Sequence, residues 1–143
     1  MKLFDVNIFV YAYRNDIPEH AFYKSYLEKE INKNVDFAVS DFILSGFLRV
    51  VTHPKIFKTP ALFDHAEEFT RIVRENPNAI ALFSDNDHWE IFTELCKKIK
   101  ARGNIIADCY IAALAISTGC ELVSADRDYD RFKDLKVIHP ADL

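Results

Sequence analysis

The 143 residues are 50% hydrophobic and 28% charged, enough to bury one core and too few for two, so a single domain spanning 1–143 is expected. With only 3 Gly and 5 Pro, collagen-like, low-complexity and disordered classes are excluded. A net charge of -4, from 22 acids against 18 bases, opposes any role that coats nucleic acid by bulk electrostatics. No stretch approaches the roughly 18 consecutive apolar residues of a membrane span. The start MKLFDVNIFVYAYRND has neither a basic flank nor a small-residue cleavage site, so a cytoplasmic setting with no membrane contact is expected. Cys96, Cys109 and Cys120 are odd in number and lack C-x-x-C spacing, which argues for buried thiols rather than a disulfide framework or zinc knuckle.

The chain opens on an apolar run that reads as a buried strand, with Asp5 arriving where the strand would end. Pro18 to about Ile31 has apolar residues at helical spacing and a Pro-Glu start. Residues 36–39 form a short strand, and Ser40 or Asp41 caps a helix carrying Phe42, Leu44, Phe47, Leu48 and Val51, closed by Pro54. A helix from Leu62 to about Arg74 precedes the Asn76-Pro77-Asn78 turn and a strand over 79–83. Asp85 or Asp87 caps a helix from His88 to about Lys100, stopped by Gly103. Asp108 opens a helix to Ser117 that is apolar nearly all round, so it is expected to be central; Gly119 ends it. Strands over 121–124 and 136–139 follow. Strands alternating with helices imply a three-layer α/β/α domain with a central parallel sheet.

In such a sheet ligands bind beyond the carboxyl ends of the strands, where strand order reverses. Asp5, Asp108 and the pair Asp126 and Asp128 fall at predicted strand or helix ends, and Asp126 and Asp128, two apart in an extended segment, can point to one side. Each alone also suits a helix or turn cap; together they favour a shared acidic site. Converging carboxylates are tolerable only around a cation or when partly protonated. Oxygen ligands without a Cys or His cluster select Mg2+, with Mn2+ as the alternative, and suit hydrolysis of a phosphate ester by a nuclease or phosphatase. Asn7 and Ser124 are placed to support those carboxylates, or serve as a turn residue and a polar strand end. Asp130 reads as a helix-start residue. The five histidines, His20, His53, His65, His88 and His139, show no ligand spacing and are expected to be structural.

The stretches FDVNIFVYAY, FLRVVTHPKIF and GNIIADCYIAALAISTGCELVSADRDYDRF together resemble the PIN-domain ribonucleases and, within them, the VapC toxins of bacterial toxin-antitoxin (VapBC) modules. The resemblance runs nearly end to end and implies a PIN-like fold. It implies a metal-dependent endoribonuclease with Asp5 and Asp108 as principal Mg2+ ligands, Asp126 completing the acidic pocket, Asp128 in support and Asn7 behind them. It further implies attack by metal-activated water, products with a 3′-hydroxyl and a 5′-phosphate, and RNA targets, often tRNA, whose cutting inhibits translation. Partners implied are a VapB-type antitoxin whose tail can push a basic side chain into the acidic pocket, and a second copy of the chain as a homodimer. Many PIN domains carry a glutamate on the helix after the second strand; here that position reads Gly46, and Asp41, about 140° away around a helix, does not stand in for it.

RNA-binding candidates are Arg49, Lys98, Lys100, Arg102 and Arg127, although the run Lys97–Arg102 equally suits the cationic end of a helix. Phe22, Tyr23, Tyr26, Phe42, Phe47 and Phe57 are candidates for a partner groove or for the core. Two other classes stay open: an α/β phosphohydrolase with an aspartate nucleophile near the start, and a catalytically weak or dead PIN-like module that binds RNA or antitoxin.

Overall fold

In the computed structural model, which describes all 143 residues, five short strands form one parallel sheet in the order β3-β2-β1-β4-β5. They are β1 (Lys2–Phe4), β2 (Phe37–Val39), β3 (Ala79–Ala81), β4 (Glu121–Val123) and β5 (Val137–Ile138). Six helices connect them: α1 (Val6–Tyr13), α2 (His20–Ile31), α3 (Asp41–Val51), α4 (Phe63–Arg74), α5 (Asn86–Ile99) and α6 (Asn104–Thr118). The chain steps outward from β1 to β3, then returns through α5 and α6 to place β4 on the other side of β1. Strand order therefore reverses between β1 and β4, and the crevice lies beyond their carboxyl ends. Asp5 and Ser124 are the first residues past those two ends.

Burial explains the strands. Leu3, Phe4, Phe37, Ala38, Val39, Leu122 and Val123 are all buried, whereas β3 lies at the edge, with Ile80 and Ala81 exposed. That edge position shortens β3 from the expected 79–83: Leu82 N–H still donates to Val39 O (2.8 Å), and the chain then leaves the sheet. Phe4 packs edge-on against Phe9 and Phe37, which ties β1 to α1 and β2.

Helix α1 is missing from the sequence reading. Ile, Val, Phe and Tyr over 6–13 favour strand, yet Ile8, Phe9, Val10 and Ala12 are buried in a helix, so tertiary packing overrides local propensity. The expected central helix is found in α6, where Cys109 and Ile111–Ala115 are buried. Its start differs: Gly103, at φ +62°, is the N-terminal cap, and Asp108 sits in the second turn instead of opening the helix. Helix α5 begins on Asp85, whose carboxylate accepts from His88 N–H (2.9 Å), and ends at Lys100 as expected, although Lys100 itself, at φ +52°, and not Gly103 terminates it. Cys109 and Cys120 are buried, Cys96 is half-buried, and all three are free.

Candidate active site

Asp5 is built into the crevice by its neighbours. Its N–H donates to Val123 O (2.9 Å), joining it to the end of β4. Its side chain, in a residue only 4% exposed, caps α1: Oδ1 accepts from Val6 N–H (2.7 Å) and lies 3.4 Å from the Tyr129 hydroxyl. Oδ2 accepts from Asn7 Nδ2 (2.9 Å) and from the Ser124 hydroxyl (2.7 Å). Burial pushes the Asp5 carboxyl above its ordinary value, opposed by the Ser124, Val6 and Tyr129 hydrogen bonds and reinforced by the charge of Asp126.

Ser124 is the knot. Besides donating to Asp5, its Oγ accepts from Asn7 Nδ2 (3.1 Å) and from Asp126 N–H (3.0 Å), and Asn7 Oδ1 accepts from Ala125 N–H (3.1 Å). Asn7 and Ser124 thus hold the end of β4 against the start of α1. The Ser124 carbonyl faces a gap in the ladder, because the next donor along β5 would be residue 140, a proline without an N–H. His139 Nδ1 fills that gap, donating to Ser124 O at 2.8 Å, while its Nε2 lies 2.7 Å from Asp130 Oδ1. Asp130 is accordingly a partner of His139 inside a turn, not a helix start.

Asp108 projects from α6 with Oδ1 3.5 Å from the Tyr129 hydroxyl. Its carboxyl is pushed from 3.8 up to about 6, first by burial, then by the charges of Asp5 and Asp126, with Arg131 opposing. Tyr129, buried between Asp5 and Asp108, has its hydroxyl pushed upward by burial and by Asp5, Asp108 and Asp126. Asp126 lines the same cleft, but its Oδ1 accepts from Asp128 N–H (2.8 Å), capping a 3-10 turn over Arg127–Arg131. That turn corrects the extended geometry expected for 126–128. The Asp128 side chain is 67% exposed and 3.5 Å from Arg131; it is absent from the cleft lining, so the structure does not bring it to the acids.

The cleft, of about 470 Å³, is lined by Asp5, Asp108 and Asp126 together with residues of α1, α3 and α6. No group of three or more Asp, Glu, His or Cys side chains stands ready around one point. Two carboxylates, both raised by burial and by the charge of Asp126, and Asp108 also by that of Asp5, nonetheless fit a hard divalent ion held in the manner of Mg2+, through one or two carboxylates, waters and substrate phosphate.

A proton on Asp108 is bound more tightly folded than unfolded. Its contribution to stability is therefore complete below the ordinary value of 3.8 and is lost as pH rises through about 6. Discounted for a half-exposed side chain, the ionised group costs the fold about 1–2 kcal/mol at neutral pH. In chelator, Asp108→Asn should raise the urea midpoint at pH 7, with the gain vanishing near pH 4. An unchanged or lower midpoint at pH 7 would contradict this electrostatic picture.

The PIN domain family profile matches residues 2–135. The chain belongs to the PIN domain family. It is 37% identical over 142 residues to a VapC ribonuclease of Mycobacterium bovis and to Ribonuclease VapC43 of Mycobacterium tuberculosis, covering 99% of this chain and 97% of each relative. In fold it is similar to VapBC2 from Rickettsia felis, solved bound to a DNA fragment from their promoter, with a TM-score of 0.66 and 24% identity over 96% of both chains.

In this PIN domain Gly46 lines the cleft, and a Cβ there would meet Val6 Cγ2 at 3.1 Å. The residue lets α3 approach α1 closely, which accounts for a glycine inside a helix despite its cost of about 1 kcal/mol relative to Ala. Gly46→Glu should add a further anion to the cleft, lowering stability in chelator while tightening Mn2+ binding, as read by urea unfolding and calorimetry. Weaker Mn2+ binding would contradict this.

Of the expected basic residues, Arg49 lines the cleft. Arg127 does not: both its terminal nitrogens donate to Asp142, at 2.7 and 2.6 Å. Lys98, Lys100 and Arg102 are exposed near the α5–α6 connection, outside the cleft lining. Of the six aromatic candidates, Phe42 and Phe57 border the cleft, Phe22 is exposed, and Phe47 and Tyr23 are buried. Tyr26 is half-buried. All five histidines have a local partner: Tyr11 O for His20, Lys55 N–H for His53, the Tyr13 hydroxyl for His65, Tyr110 O for His88 and Ser124 O for His139. Tyr129 and Asn104 border the acids but are absent from the sequence candidates. Tyr129 closes the S-x-D-x-D-Y string, which is the signal that points to it.

Proposed function

We propose that this chain is a metal-dependent endoribonuclease that acts as the toxin of a toxin-antitoxin pair, cutting RNA, with tRNA the leading target, and so inhibiting translation. Support comes from relatives named ribonucleases over nearly the full length and from a fold neighbour solved as a VapBC assembly. The observation that carries the reading is the convergence of Asp5 and Asp108, distant in sequence, on the two sides of one buried tyrosine hydroxyl. Carboxylates brought together at the strand-order reversal are an arrangement that a shared cation relieves.

Asp5 and Asp108 would hold the ion, Mg2+ or Mn2+. Bound there, it would supply an activated water and neutralise charge gathering on the scissile phosphate. Asn7 and Ser124 fix the Asp5 carboxylate in one rotamer, Asp126 adds negative charge at the rim, and Arg49 offers a cation to the RNA backbone from the opposite wall. The products expected are a 3′-hydroxyl and a 5′-phosphate. Asp5 is buried and pinned by Val6 N–H, Asn7 and Ser124, which suits a fixed ligand better than a nucleophile that must move onto phosphorus. That favours hydrolysis over a phosphoaspartate route.

A VapB-type antitoxin and a second copy of the chain are the partners this reading requires. No helix is long and apolar enough to cross a membrane, consistent with action in the cytoplasm. Gly46 in place of a carboxylate favours, as the second reading, a module that binds RNA or antitoxin with little turnover. The two separate on incubation of purified protein with total RNA. Cleavage in Mg2+ that chelator abolishes supports the enzyme, and RNA binding with no cleavage in Mg2+ or Mn2+ supports the binding module.

A further inference from the structure

We propose that the cleft-facing side of α3 is a nucleotide subsite in which Phe42 stacks on an unpaired base and Arg49 meets the phosphate backbone. The inference rests on the ribonuclease reading and adds a base-binding position to it.

Residues 42, 45, 46 and 49 all border the cleft, the i, i+3, i+4, i+7 spacing of a single helix face. An apolar residue on that face would ordinarily turn inward, as Phe47 of the same helix does. Phe42 is 42% exposed instead. One side of its ring rests on Tyr110 of α6, with centroids 4.2 Å apart and planes at 33°.

Tyr110 is anchored in turn. Its hydroxyl is 2.6 Å from Ser84 Oγ, and its ring meets the fully buried His88 edge-on at 4.4 Å. Phe42 is thus a partly exposed ring backed by an anchored one, which orders little on binding a base. The other aromatic rings bordering the cleft are engaged: Phe57 is covered by the Arg14 guanidinium at 4.1 Å, Tyr11 packs on Tyr23 at 5.2 Å, and Tyr129 is buried beside the acids.

Arg49 lies two turns further along, about 10 Å by helical rise, and takes no part in the chain's ion pairs. Ser45 lies between them on the same cleft-facing side, so a sugar-phosphate chain can run along the helix with a base on Phe42 and a phosphate on Arg49. A base inside a duplex cannot leave its stack without cost, so the subsite takes single-stranded or looped RNA and tolerates any base, since each has a π face.

The test uses Asp108→Asn protein, to suppress cleavage, and two fluorescein-labelled probes: decaadenylate and an abasic ribose-phosphate chain of equal length. Phe42→Ala should weaken decaadenylate binding about tenfold and leave the abasic probe within about twofold. Phe42→Leu, which keeps the contact with Tyr110, should behave like Ala, and Phe42→Trp should restore affinity. Arg49→Ala should weaken both probes and flatten the salt dependence. Equal loss on both probes, or undiminished decaadenylate binding by Phe42→Ala and Phe42→Leu, overturns the stacking subsite while leaving the ribonuclease reading intact. Failure of decaadenylate to bind protein with Phe42 and Arg49 in place also overturns the subsite, whereas the ribonuclease reading stands or falls separately on cleavage of total RNA by the parent protein.

Discussion

Asp108→Asn should lower the rate of Mg2+-dependent RNA cleavage by about a thousandfold. The side chain keeps its shape and loses the charge that, with Asp5, would hold the ion. Several kcal/mol of charge stabilisation at the phosphate go with it, and each 1.36 kcal/mol is tenfold in rate. The substitution is also clean. Asp108 is pushed up to about 6 by burial and by its acidic neighbours, so its amide should stabilise the metal-free fold, and lost activity cannot be blamed on unfolding. Asp5→Asn should lose cleavage as steeply but be less stable, because an amide nitrogen would face donors that Asp5 now accepts from, among them Val6 N–H and Asn7 Nδ2. Initial rates on total RNA, with urea unfolding alongside, check both variants. Cleavage within about tenfold of the parent protein would remove Asp108 from the reaction.

Ser124→Ala should cost about 2–3 kcal/mol of folding stability, the largest loss expected from removing one polar atom. The hydroxyl is fully buried, donates to Asp5 Oδ2 and accepts from Asn7 Nδ2 and Asp126 N–H. Deleting it leaves a buried carboxylate oxygen with one donor fewer and strips a partner from two N–H groups, and unsatisfied groups of this kind carry most of such penalties. The comparison is Ser117→Ala, whose half-buried hydroxyl only donates back to Leu114 O within α6 and whose loss should stay within about 0.5 kcal/mol. Equilibrium urea unfolding of the pair decides it. Equal stabilities would mean that the Ser124 network organises nothing.

The difference between Asp5 and Asp128 shows where sequence is legible. Asp5 follows Leu3 and Phe4 in an apolar run that reads as a buried strand, and the end of a strand is a defined place in a parallel sheet. Asp126 and Asp128 look alike in an extended reading, where alternate residues share a side. In a turn with three residues per revolution they diverge, and Asp128 goes to Arg131 and solvent. Whether four residues after a strand extend or coil depends on what they pack against, here the buried Tyr129.

The same limit hides α1, whose β-branched and aromatic residues become helical only because a core waits on one side. It also hides the pairing of Arg127 with Asp142, residues of two separate 3-10 turns that nothing in their spacing links. The amphipathic α3 and the apolar α6 were readable because periodicity survives burial. Asp108 was readable as a site residue by type and neighbourhood, but not by its turn of helix, since Gly103 at positive φ starts α6 earlier than the aspartate suggests.

The proposed cleavage depends on Asp5 and Asp108 sharing one divalent ion. Anomalous diffraction from crystals soaked in Mn2+ tests this directly. A single strong peak within coordination distance of both carboxylates, lost in Asp108→Asn crystals, is the predicted result. A cleft without a peak at saturating Mn2+, or a peak bound by other side chains, would contradict it.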